Sequence, residues 1–276
     1  MSNLKKYVAS RALVTGGTSG IGAAIARQLA SQGTSLVLVG RNYQALKERV
    51  AELEPLVKVE GILADLSLSR DLTRLEERLA DTHDPVDFLV NCAGYSVTGP
   101  TVEQPLDALL SLLDVNVVAL VRLSLAAAKR MMGEGHGRIL NISSIAAYRS
   151  TPGSVMYAGS KSFVNAFSRG LAMELKPAGV VVTCVCPGST DTPFFPRAGI
   201  DIERIRSRGV TVQDADEVAS VALAAVAAGD TITLTSTSNS SNVLQGVLTE
   251  WQATTVRNPA DPKIEHPMPL RERTSV

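Results

Sequence analysis

Seven short runs of aliphatic, mostly β-branched residues recur along this chain, and nearly all of them are apolar at consecutive positions rather than alternate ones. They fall at 12–15, 35–39, 57–60, 86–91, 138–142, 180–186 and 231–234. A strand with no polar face must be covered on both sides, which is the situation of a parallel sheet between two layers of helices. Helical patterns fill the intervals at 20–31, 42–53, 68–80, 104–132, 154–176 and 214–228. Gly33 stops the first helix and Pro177 the fifth, while Asp214, with Glu217 three residues on, opens the last as a variant capping box. Strand–helix–strand units joined by right-handed crossovers give an α/β fold, a doubly wound, mostly parallel sheet with helices on both faces.

No linker rich in Pro, Gly or Ser interrupts this alternation, so residues 1–256 read as one domain. Residues 257–276, with four prolines and many charges, read as an extended tail, and 235–242, rich in Ser, Thr and Asn, as a polar loop. An apolar content of 45% is enough for a sizeable core. Twenty-seven basic residues balance 27 acidic ones without a basic block, which argues against nucleic acid as a partner. Residues 1–11 contain no apolar core of a signal peptide, and no span across a bilayer is read. Three cysteines, Cys92, Cys184 and Cys186, without framework spacing fit a reducing cytoplasm. Cys184 and Cys186 have strand period and should face one way into the sheet, and no metal site is expected.

The first strand runs directly into Thr15-Gly16-Gly17-Thr18-Ser19-Gly20-Ile21-Gly22 and then into a helix. Glycines there permit a tight turn and close approach of a pyrophosphate to the positive helix N-terminus. Further on, Tyr157 and Lys161 lie four apart in a helical stretch, so phenol and ammonium project from one face, with Ser144 thirteen residues upstream. A cation beside the phenol is expected to favour phenolate; a shift of about three units corresponds to roughly 4 kcal/mol. Ser143 and Tyr148 offer the same groups, but the spacing selects Ser144, and only Tyr157 has a lysine four residues later. No Gly-x-Ser-x-Gly elbow occurs, and His83 and His136 fall in turns.

Thr15-Gly16-x-x-x-Gly20-x-Gly22, Asn91-Cys92-Ala93-Gly94, Asn116, Ser144, Tyr157-x-x-x-Lys161 and Pro187-Gly188 followed by Thr192 together resemble the short-chain dehydrogenase/reductase family across 12–192. The resemblance implies a Rossmann fold and an oxidoreductase that interconverts a ketone or aldehyde with an alcohol. Tyr157 is then the acid/base residue, Lys161 its partner and a ribose contact, Ser144 the group on the substrate oxygen, and Asn116 the holder of a water linking Lys161 to solvent. Cofactor contacts are expected from Gly16, Thr18, Ser19, Gly20, Ile21, Asp65, Leu66, Asn91, Ala93, Gly94, Pro187, Gly188, Thr190 and Thr192. The second strand ends in Gly40-Arg41-Asn42, where NAD enzymes carry an acid, so Arg41 points to NADP(H), although Thr18 and Ser19 add no second cation. An NAD-dependent alcohol dehydrogenase, a redox-linked epimerase or dehydratase and a cofactor-sensing protein remain the alternatives.

Substrate is expected beyond the strand C-termini, near Tyr95, Ser96, Ile145, Ala146 and Arg149, under a lid at 193–209 that carries Phe194, Phe195, Ile200 and Ile202. Helices 104–132 and 154–176 have apolar residues on more than one face and predict a homodimer or homotetramer.

Overall fold

Strand residues alternate between two cores, and this alternation organises the molecule. In β1 (Arg11–Thr15), Leu13 joins one core while Ala12 and Val14 join the other; in β2 (Ser35–Gly40), Val37 and Val39 oppose Leu36 and Leu38. The remaining strands are β3 (Val59–Leu63), β4 (Phe88–Asn91), β5 (Gly137–Ile142), β6 (Val180–Cys186) and β7 (Ile232–Leu234). All pairings are parallel, in the order β3-β2-β1-β4-β5-β6-β7. This is the seven-stranded doubly wound sheet expected. The structure is a computed structural model that describes residues 9–235, so the tail, the domain boundary at 256 and nearly all of the 235–242 loop lie outside the described residues.

One core is closed by α1 (Gly20–Ser31) and α2 (Tyr43–Leu53), the other by α3 (Ser69–Ala80) through Leu72, Leu75 and Leu79. The expected helix at 104–132 is instead α4 (Leu106–Leu113), a π-helical turn at Asp114–Ala119 and α5 (Leu120–Glu134). It begins only after Pro105, and it widens where Asn116 must turn its amide toward neighbouring backbone. Leu106–Glu134 has the length and hydropathy of a membrane span, yet Leu112, Leu123 and Met131 are fully buried in this fold. Then follow α6 (Val155–Leu175), the short α7 (Phe194–Arg197) and α8 (Ile202–Arg206), and α9 (Ala215–Ala228). Asp214 caps α9 by accepting from Asp216 N.

Two strands start two residues later than expected, β4, at Phe88 rather than residue 86, and β3. β3 starts at Val59 rather than residue 57 because register with β2 pairs Leu36 with Val59 and Gly40 with Leu63. It is the sheet edge, half-exposed along its length, so it lacks the doubly apolar pattern that marks the inner strands.

Candidate active site

β1 and β4 are neighbours although three helical connections separate them in the chain, and a cleft opens at their C-terminal ends. It measures about 970 Å³, within the range of cofactor and substrate pockets. The turn after β1 forms one wall. Gly20 there has φ +54°, and a Cβ on it would come within 3.0 Å of the Thr192 side chain. A Cβ on Gly94, after β4, would meet Asn116 Oδ1 at 3.1 Å and Lys161 Nζ at 3.5 Å. These residues leave backbone facing the cleft with no side chain across it, and the α1 N-terminus faces the same space. The wall therefore fits an extended phosphate-bearing ligand.

Gly16, Thr18, Ser19, Gly20 and Ile21 from this turn line the cleft together with Arg41, Asp65 and Leu66 at the ends of β2 and β3. Ala93 and Gly94 line it after β4; Pro187, Gly188, Thr190 and Thr192 line it after β6. The Asp65 carboxylate accepts from Ser67 N at 2.9 Å and Ser67 Oγ at 2.7 Å, which holds it below its ordinary range, and the Arg41 charge acts in the same direction.

Ser144, Tyr157 and Lys161 converge on the cleft from β5 and α6. Lys161 Nζ donates to Ile142 O at 2.9 Å, and Ser143 Oγ donates to Lys161 O at 3.0 Å, so the ammonium is fixed beneath Tyr157, 5.8 Å from the ring centroid. Ser144 Oγ accepts from Ala146 N at 3.1 Å and leaves its own proton available. The expected acid phenol is not found. Burial raises Tyr157 from its ordinary 10.0 to about 12, a hydrogen bond with Ser144 working in the opposite direction. Burial also depresses the Lys161 ammonium, with Cys92, Cys184 and Cys186 acting in the opposite direction.

Two expected catalytic or cofactor residues do not line the cleft, nor does Ile202 of the lid. Asn91, 4% exposed, donates to Ser124 Oγ and Asn141 Oδ1, both at 2.9 Å, and Asn141 Nδ2 continues to Ser168 Oγ. It ties β4 to β5 and α5. Asn116, 1% exposed, accepts from Tyr95 N and donates to Tyr95 O and Ser160 Oγ, so its amide positions the loop after β4.

Some contacts at the cleft are not encoded in local sequence. Phe194 is not merely a lid residue: its ring centroid lies 5.5 Å from that of Tyr157. Arg197 reaches Ser19 Oγ at 3.4 Å, a contact spanning 178 residues that no local pattern encodes. Cys92 lines the cleft, and burial pushes its thiol up to about 12, so it acts as an uncharged wall. Cys184 and Cys186 face one way as expected, both against Asn165 Oδ1.

A glycine turn at the switch point of a doubly wound sheet, with an acid/base set across the cleft, defines a nicotinamide-dependent oxidoreductase of the Rossmann class. The family model for short chain dehydrogenase matches residues 10–201, and the chain belongs to the short-chain dehydrogenase/reductase family. Its relatives include the short-chain reductase protein NovJ of Streptomyces niveus, 36% identical over 67% of this chain and 71% of that protein. Among solved structures, a short-chain dehydrogenase from Sphingobium yanoikuyae in complex with NADPH superposes with a TM-score of 0.79 at 32% identity, covering 92% of this chain and 99% of the other. A bulky-bulky ketone specific alcohol dehydrogenase from Comamonas testosteroni gives a TM-score of 0.75 at 29% identity, covering 92% and 98%.

Proposed function

We propose that this oxidoreductase is NADP(H)-dependent and reduces a ketone or aldehyde to an alcohol, with Tyr157 as the proton donor. The convergence of Ser144, Tyr157 and Lys161 on a cleft walled by the glycine turn carries the reading. The buried phenol lies beside the Lys161 ammonium and lines the cleft, where it can pass a proton to a carbonyl oxygen. When bound, NADPH supplies the hydride to the carbonyl carbon. Ser144 donates to the carbonyl oxygen, Tyr157 protonates that oxygen as charge develops on it, and Lys161 holds the phenol in place from below. Asn116 fixes the Tyr95 loop that faces the same oxygen.

Arg41 supports the 2′-phosphorylated cofactor, since β2 ends without an acid that would repel the phosphate. The NADPH complex of the Sphingobium neighbour and the ketone specificity of the Comamonas neighbour point the same way. Exposed Leu110, Val118 and Leu125 on α4–α5 and Phe163 and Met173 on α6 form apolar faces that we assign to a homodimer or homotetramer contact.

The test is a panel of ketones and alcohols assayed with NADPH and NADH over a range of pH, following loss of the dihydronicotinamide absorbance. One NADPH should be consumed per carbonyl reduced. Tyr157→Phe should lower kcat by about 10²- to 10⁴-fold while NADPH still binds. Arg41→Ala should weaken NADPH by about tenfold and leave NADH nearly unchanged. Turnover without net cofactor consumption, or equal losses for both cofactors, would overturn the reading.

A further inference from the structure

A 2′-phosphate carries roughly two negative charges near neutral pH, and Arg41 alone offsets about half of that. The glycine turn offers no help of its own, since Thr18 and Ser19 stand where a cation would be useful. The two residues nevertheless mark the place. Thr18 lies against the end of β2, where a Cβ on Gly40 would come within 2.6 Å of Thr18 Cγ2, and Arg41 is the next residue. Ser19 receives a cation from the opposite side: Arg197 Nη1, at the end of α7, lies 3.4 Å from Ser19 Oγ.

Among the described residues no carboxylate pairs with Arg197. Its neighbour Arg206 differs, being held by both Asp191 and Glu203. Arg197 is exposed, lines the cleft and reaches across it to a neutral hydroxyl. A guanidinium so placed has donors left for an anion.

We propose that Arg197 is the second cation of the 2′-phosphate site, delivered by the lid instead of the glycine turn. The proposal rests on the NADP(H) reading above. It adds a consequence for the substrate side, because α7 also carries Phe194, which packs on Tyr157 at 5.5 Å between centroids. Arg197 ends this four-residue helix and Phe194 begins it, so the phosphate contact and the ring against the proton donor share one element. Cofactor choice and the substrate wall are then set by the same short element.

The experiment measures dissociation constants of NADPH and NADH by fluorescence titration of the full chain, for the wild type, Arg197→Met and Arg197→Lys. Arg197→Met should weaken NADPH by about tenfold and leave NADH within twofold, and Arg197→Lys should restore part of the loss. Unchanged thermal unfolding without cofactor separates this effect from collapse of the lid. Equal losses for both cofactors would place Arg197 on the pyrophosphate and overturn the proposal, as would no loss for either. A wild type that binds NADH as well as NADPH would remove the NADP(H) reading itself. A wild type that prefers NADPH while Arg197→Met is silent would sink the inference alone.

Discussion

Beneath the cleft, Lys161 and Asn116 have their polar atoms tied to the backbone of β5 and of the loop after β4, and both are almost fully buried. Above it, residues 193–209 attach to the rest of the molecule through scattered bonds: Thr98 Oγ1 to Ala198 O at 2.6 Å, Arg197 to Ser19, and Arg206 to Asp191. Loss of one partner below strands a desolvated group, whereas loss of the Arg197 or Arg206 contact above exposes an already hydrated one. In the function proposed above, the acid/base chemistry therefore sits on elements that cannot shift independently, and substrate choice on a segment that can.

The sharpest way to break this contrast is Lys161→Met. It should lower kcat by about 100-fold or more, and it leaves Ile142 O without its donor. A kcat within threefold of wild type in single-turnover assays would show that the fixed floor is not where the chemistry lies. Asn116→Leu comes next, with an expected stability loss of about 2–3 kcal/mol in urea denaturation, because Tyr95 N and Tyr95 O lose their partners.

Alkaline pH should act on the floor in a defined direction. Below the ordinary 10.0 both folded and unfolded chains keep the Tyr157 proton; between that value and about 12 the unfolded chain releases it first. Stability should fall as pH rises through that window, and Tyr157→Phe should flatten the fall in pH-dependent unfolding curves. The smallest effect is expected from the lid: Phe194→Ala should change stability by about 1 kcal/mol, through loss of its contacts with Tyr157 and Phe195. The same variant should still shift KM for bulky ketones, and a large stability loss would erase the distinction between the two regions.

Much of this arrangement was legible before any coordinates. The doubly apolar runs identified the inner strands, because burial on both faces leaves a mark that needs no partner to interpret. Tyr157 and Lys161 were visible because a helix places fourth neighbours together. Legibility failed where the determining contact is distant. Edge strand β3 carries no doubly apolar signature, and its register is imposed by β2. Arg197 meets Ser19 only through the fold. The Tyr157 phenol was expected to become more acidic from its neighbour's charge, but burial of both groups decides the direction, and burial cannot be read from a spacing of four.

The widened turn at Asp114–Ala119 has one more effect. Each extra residue in a helix rotates everything after it by about 100°. Two rods that look continuous are thus indexed separately, like gears offset by a tooth. The α5 ridge seated on the sheet therefore keeps a phase of its own, which α4 does not dictate.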